Sequence, residues 1–254
     1  MFSVSAASPQ YSRTMTISVS GRHLSKGVSV EVDRACGEVK PISSYSDDSR
    51  LFTCEVTDLG AMVVRVRADA DGTELARLMI DIPAPQVAVT LTLASQSKSF
   101  VLELDPLNAP LSTKNFLAYA NGGFYRNTLF HRVVKDFVVQ AGGYNAGPVI
   151  KQPTSAAIAL ESANGLKNLR GTLAMARTAE PDSATSQWYV NLVDNASLDY
   201  VDAASPGYAV FGRVISGLDV IDEIAAVPVR LDAATGLTHL PVDNIVINSA
   251  LQIR

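Results

Sequence analysis

The sequence predicts a mainly β chain in two parts, a small antiparallel β-sandwich over residues 1–85 and a closed barrel capped by two helices over 86–254. Three observations carry this. Apolar and polar residues alternate in short runs between turn signals along most of the chain. Only two stretches have helical spacing. The segment Ile82-Pro83-Ala84-Pro85-Gln86 reads as a linker between the parts, because proline stiffens a chain and removes ladder donors.

In the first part Met15, Ile17 and Val19 alternate with Thr and Ser, and Gly21 breaks the run. Gly21-Arg22-His23-Leu24-Ser25 reads as a turn. Val28, Val30 and Val32 alternate next, then Met62, Val64 and Val66 up to the turn signal Asp69-Ala70-Asp71-Gly72. Leu78, Ile80 and Ile82 close the series. A period of two places each set on one face of a strand, and strands at this spacing suit a sandwich. In the second part Val87, Val89, Leu91 and Leu93, then Phe100, Leu102 and Leu104, read as a hairpin around Ser95-Gln96-Ser97. Asn108-Ala109-Pro110 opens a helix with proline in its first turn; Phe116, Leu117 and Ala120 share a face, and Asn121-Gly122-Gly123 ends it. A second helix follows Gly217, with Leu218, Ile221, Ile224 and Ala225 on one stripe. Two lone helices among many strands suit a barrel closed at its ends.

Composition narrows the function. With 47% hydrophobic and 18% charged residues the chain can bury a core. The net charge is −4, and neither part is basic: 9 basic against 11 acidic residues up to Pro85, 12 against 14 beyond. That speaks against nucleic acid or an anionic membrane as the main partner. No apolar run approaches the ~20 residues of a membrane span. Met1-Phe2-Ser3 leads straight into polar residues, so any export signal is expected to have been removed or never to have existed. Cys36 and Cys54, 18 positions apart in a β-rich segment, read as a disulfide, with two separate buried thiols as the alternative. A bond would imply an oxidising compartment, periplasmic or otherwise exported; unbonded cysteines would imply the cytoplasm. His23, His131 and His239 are scattered, no Cys/His spacing suits zinc, and no metal is expected.

The chemistry gathers in four segments: Phe130-His131-Arg132-Val133-Val134, Phe137-Val138-Val139-Gln140-Ala141-Gly142-Gly143, Gly171-Thr172-Leu173-Ala174-Met175-Ala176-Arg177 and Ser183-Ala184-Thr185-Ser186-Gln187-Trp188-Tyr189-Val190-Asn191. With Asn115-Phe116 and Tyr208-Ala209-Val210-Phe211-Gly212, all in order and at matching spacing, they closely resemble the bacterial type of the cyclophilin family of peptidyl-prolyl isomerases across about 86–254. The resemblance implies an eight-stranded antiparallel barrel with a helix at each end and a proline site on its outer face. It implies that Arg132 stabilises the twisted amide and that Gln140 beside it holds Arg132 or the substrate backbone. Phe137, Val138, Tyr189 and Leu198 match the pocket for the proline ring, with Val138 where methionine is frequent and Tyr189 where phenylalanine is usual. Ala176 and Arg177 match the stretch whose backbone pairs with the residue before proline; Arg177 replaces a frequent asparagine. Gln187 matches a glutamine of the adjoining groove, and Tyr208 replaces the histidine of many eukaryotic members.

Without that context these residues would read otherwise: Arg132 as a solvated surface charge, Phe137, Val138 and Leu198 as core, Gln140 as a surface amide. Trp188 reads as core, because neighbours on a strand face opposite ways. His131 reads as a structural hydrogen-bonder, since amide rotation transfers no proton. The expected activity is rotation of Xaa-Pro bonds in unfolded or proline-containing, newly exported polypeptides, assisting their folding without a cofactor. The alternative is a catalytically weak cyclophilin-like chaperone or binding module. Weak cyclosporin binding is expected, because Ser197 stands where drug-sensitive members carry tryptophan. The first part looks like an immunoglobulin-like or IPT-type domain.

Overall fold

The computed structural model describes residues 2–42 and 46–254; Met1, named above at the polar start, lies outside the described residues. The chain divides into two compact units, one running to Ala84 and including Arg254, the other Pro85–Ile253. Ile82 ends one strand and Gln86 begins the next, so three residues of the expected linker, 83–85, lie outside strands.

Among the described residues seven strands build the first unit: β1 Ser3–Ala7, β2 Thr14–Ser20, β3 Val28–Val32, β4 Lys40–Pro41, β5 Ser49–Glu55, β6 Gly60–Ala68 and β7 Glu74–Ile82. They form two antiparallel sheets, ordered β1-β2-β5-β4 and β3-β6-β7. The alternating residues fill the core: Met15, Ile17 and Val19 of β2 and Met62, Val64 and Val66 of β6 are fully buried. The expected turn at 21–25 tightens into a single 3₁₀ turn, Leu24–Lys26, entered through His23 at φ 62°. Leu24 is buried there.

Cys36 and Cys54 form a disulfide, with Cα atoms 5.7 Å apart. It ties β5 to the segment between β3 and β4, next to a single backbone bridge from Cys36 to Val56. Closing a loop of this size stabilises by about 3 kcal/mol in the chain-entropy account. In a unit of this size that corresponds to a melting-temperature change on the order of ten degrees or more. Calorimetry with and without reductant should therefore show the first unit's transition falling by that much. Thiol titration of the unfolded, unreduced protein should find no free thiol; two reactive thiols would refute the bridge.

The second unit contains β8 Gln86–Leu93, β9 Gln96–Leu104, α1 Pro110–Asn121, β10 Thr128–Val134, β11 Val138–Asn145, β12 Val149–Ile150, β13 Thr172–Met175, β14 Trp188–Asn191, β15 Val210–Ser216, α2 Leu218–Ala225, β16 Val229–Asp232, β17 Leu237–Pro241 and β18 Val246–Gln252. The sheet runs β10-β18-β8-β9-β15-β13-β14-β11, and a β10–β11 pairing closes it into an eight-stranded antiparallel barrel, with β12 added beside β11. The β8–β9 turn is Ala94-Ser95, both at positive φ (48° and 64°), whereas Gln96 and Ser97 already belong to β9. The turn expected around 95–97 is thus displaced. A two-residue turn with both φ positive matches strand twist even without glycine. The β16–β17 hairpin, not anticipated from the sequence, packs on β10.

Trp188, Phe100, Phe116, Phe130, Tyr125 and Phe211 fill the interior. Four of these rings surround the indole with centroids 5.7–6.5 Å away, in edge-on geometry. Helix α1 starts at Pro110 without a capping side chain of its own. Glu161 supplies the cap: its carboxylate accepts the N–H groups of Leu111 and Ser112 at 2.8 and 2.7 Å and the Ser112 hydroxyl at 2.8 Å. This satisfies orphan donors at the positive end of the helix and anchors the irregular segment leading to β13. No helix among the described residues is long and apolar enough to cross a membrane.

Candidate active site on the barrel face

Strand register assembles the site. Arg132 on β10 pairs with Gln140 on β11, Gln140 with Tyr189 on β14, Tyr189 with Ala174 on β13, and Ala174 with Val210 on β15. These five residues form one row across five strands. The neighbouring row, Ala141, Trp188 and Met175, carries the indole into the interior, so alternation sends the first row to the other face.

A cavity of about 240 Å³ opens over that row, lined by Arg132, Phe137, Val138, Gln140, Ala176, Arg177, Tyr189, Leu198 and Tyr208. Of the ten residues expected to catalyse or to bind substrate, only Gln187 does not line it. Its floor is apolar, with Val138, Ala174, Tyr189 and Val210 buried and Phe137, Leu198 and Tyr208 packed on them. Phe137 precedes β11 after Asp136, which sits at φ 56°. Its carbonyl is held by Leu192 N–H at 2.9 Å and by the Asn195 amide at 3.0 Å. The Arg132 guanidinium lies 5.7 Å from the centre of its ring.

Arg132 is further fixed by a chain of amides. Its Nη1 donates to Gln140 Oε1 at 3.3 Å, and Gln140 Nε2 donates to Gln187 Oε1 at 2.8 Å. Gln187 lies against Gly143, where a Cβ would come within 2.5 Å of its side-chain carbon, so any larger residue there would push Gln187 aside. Gln187 also faces His131 and favours its protonated form, though less than burial opposes it. His131 is buried against Tyr144, with ring centres 4.7 Å apart, and its Nδ1 has no partner among the described residues.

Burial pushes the His131 pKa down to about 4. The unfolded chain, with a histidine pKa near 6.5, takes up a proton between that value and about 4, and the folded chain does not. Stability from this group is complete above pH 6.5 and declines as pH falls toward 4, by up to about 3 kcal/mol. Urea midpoints at pH 7 and pH 4.5 should therefore differ less for His131→Asn than for the native protein. An equal difference in both would remove His131 from this account.

The Tyr189 hydroxyl donates to Asn168 Oδ1 at 2.8 Å, and burial, reinforced by Tyr208, raises its pKa far above the ordinary phenol value. It is a fixed neutral donor. Asn168 also donates to the Leu198 carbonyl at 3.0 Å and receives the Asn191 amide at 3.2 Å, so one buried amide joins both walls of the cavity. Sequence reasoning missed Asn168 and its neighbours Asn164 and Leu166. Asn164 donates to the Val210 carbonyl at 2.9 Å, and Leu166 packs on the floor. The available signal was the pair of asparagines around Gly165-Leu166-Lys167, a residue type that satisfies backbone groups in irregular segments.

Residues 88–251 match the family model described as "Cyclophilin type peptidyl-prolyl cis-trans isomerase/CLD". The chain is 42% identical over 171 residues to peptidyl-prolyl cis-trans isomerase A of Dickeya dadantii, covering 67% of this chain and 88% of that protein. It is 44% identical over 147 residues to peptidyl-prolyl cis-trans isomerase B of Escherichia coli, covering 56% and 85% respectively. A solved cyclophilin type peptidyl-prolyl cis-trans isomerase of Cryptosporidium parvum shares the fold at a TM-score of 0.54 and 24% identity, over 68% of this chain and 99% of that one. With its closed eight-stranded barrel and a family match running from β8 to β18, the chain belongs to the cyclophilin-type peptidyl-prolyl cis-trans isomerases.

Proposed function

We propose that the cavity over β11 and β14 is where this isomerase twists Xaa-Pro bonds, with Arg132 as the catalytic residue. The observation that carries this reading is the Arg132 guanidinium, held by an amide chain, at the edge of a small cavity with an apolar floor. Rotation about a peptide bond faces ~18–20 kcal/mol because its C–N bond has double-bond character. When the amide twists, conjugation is lost and the proline nitrogen gains a lone pair. A guanidinium N–H aimed at that nitrogen bonds the twisted form and not the planar one, so it lowers the barrier selectively.

Phe137, Val138, Tyr189 and Leu198 hold the ring, Ala176 and Arg177 flank the preceding residue, and Tyr208 completes the wall. At about 240 Å³ the cavity suits one ring, below the ~300–1,000 Å³ of pockets for larger ligands. Gln140 and Gln187 hold the guanidinium in place between turnovers. No proton changes hands, so a neutral His131 fits the scheme. Turnover of a short Ala-Pro peptide tests the reading. Binding without acceleration would instead favour the chaperone or binding-module alternative.

The clients we propose are unfolded, exported polypeptides, and the disulfide supports an oxidising location. For the first unit we propose an immunoglobulin-like domain. Its sheet orders correspond to the ABED and CFG sheets of the constant type when β1 to β7 are lettered A to G. Its disulfide departs from the antibody arrangement, joining E to the C–D segment instead of B to F.

A further inference from the structure

Two arginines line the cavity, and among the described residues neither forms an ion pair with a carboxylate. Other arginines of the same unit do: Arg170 with Asp222 at 2.8 Å, Arg213 with Glu103 at 3.0 Å and Arg230 with Asp232 at 2.8 Å. All partners of Arg177 are backbone carbonyls. Its Nε and Nη2 donate to Gly207 O at 3.0 and 2.7 Å, and its Nη1 donates to Thr178 O and Ala179 O at 2.9 and 3.2 Å. The guanidinium lies over the Tyr208 ring, 4.7 Å from its centre. Neutral acceptors satisfy N–H groups but leave the full positive charge uncancelled. Asp199 accepts from Asn168 and faces Lys167 at 3.6 Å, and Asp182 accepts from the Leu160 N–H at 2.8 Å; neither these acids nor Glu180 forms an ion pair with Arg177 among the described residues.

We propose that these two uncompensated guanidinium groups make the enzyme select substrates with an acidic residue immediately before proline and disfavour basic ones. The proposal rests on the reading that this cavity holds the proline ring, which puts the Ala176–Arg177 stretch beside the preceding residue. Arg177 is immobilised by its carbonyl bonds and its aromatic stack, so it meets a substrate carboxylate without losing further side-chain freedom. Both arginines are half-buried, where charges interact more strongly than in bulk water. Exchanging glutamate for lysine replaces an attraction with a repulsion. The two effects together correspond to roughly a tenfold difference in kcat/KM at low ionic strength.

The test uses the full-length protein at pH 7 with end-blocked peptides of sequence Ala-Xaa-Pro-Phe, Xaa being Glu, Ala or Lys. The order Glu, Ala, Lys is expected, with the Glu-to-Lys ratio shrinking severalfold at ~1 M salt, where the Debye length is about 3 Å. Arg177→Gln should compress the ratio to about two or three, and Arg177→Lys should restore most of it. Equal rates for the three peptides, a ratio indifferent to salt, or an unchanged ratio in Arg177→Gln would each overturn the preference while leaving the active-site reading standing. No turnover even of the Ala peptide would overturn that reading and the preference with it.

Discussion

Arg132→Ala is expected to lower kcat/KM for a short Xaa-Pro peptide by on the order of a hundred- to a thousandfold, the usual cost of removing one preorganised donor to a transition state. The loss should fall mainly in kcat, because in the proposed site Phe137, Val138, Tyr189 and Leu198 grip the proline ring whether or not the guanidinium is present. Thermal unfolding should hardly change. The side chain is half-exposed, forms no ion pair among the described residues, and gives up one 3.3 Å bond to Gln140. Arg132→Lys should recover little, since an ammonium lacks the planar fork that engages Gln140 and the twisted nitrogen together. Near-native turnover in Arg132→Ala would remove Arg132 from the mechanism proposed here.

Tolerance to cyclosporin is the second large effect expected. In sensitive cyclophilins a tryptophan precedes the leucine matched here by Leu198, and its indole N–H bonds the drug. Here that position is Ser197, exposed on the short 3₁₀ segment Ala196–Leu198, whose last residue lines the cavity. Losing the aromatic face removes roughly 1.5–3 kcal/mol of burial, and losing the donor about 1 kcal/mol more. At 1.4 kcal/mol per tenfold, affinity should fall by about a hundredfold or more. Peptide turnover should be little affected by the same replacement, because Arg132 and the proposed ring-binding side chains stand without it. Titration with the drug should give inhibition well above nanomolar concentration, and Ser197→Trp should recover part of the binding. Nanomolar inhibition of the unaltered protein would overturn this account of the contact.

Local patterns were legible in the sequence wherever one residue's face is set by its neighbours. The alternation of Met15, Ile17 and Val19, the inward Trp188 beside an outward Tyr189, and Pro110 at the start of α1 each follow from a spacing of two or 3.6. Contacts between distant segments were not legible. Glu161 caps α1 from about fifty residues away, and Asn168 reaches Tyr189 across 21 positions. Neither link leaves a periodic trace. The β16–β17 hairpin escaped because Val229 and Leu231 are exposed and give no buried face to recognise. The Ala94-Ser95 turn escaped because neither residue is a usual occupant of positive φ. The cavity residues were found as a set through family motifs; spacing alone would have left Arg132 and Gln140 as surface groups.

The row running from Arg132 to Val210 ties competence to topology. Its members come from five strands and are brought level only when β10 has joined β11 and the ring is complete. A one-residue slip of β14 would expose the indole and turn the phenol inward, exchanging every contact on both sides. A misregistered chain would therefore be betrayed at once by a large greasy surface, the kind of defect that chaperones and proteases detect, and it would lack the proposed site as well. A correctly closed chain needs no later adjustment of its side chains to work. For a peptidyl-prolyl isomerase, closing the barrel and assembling the row from Arg132 to Val210 are thus the same event.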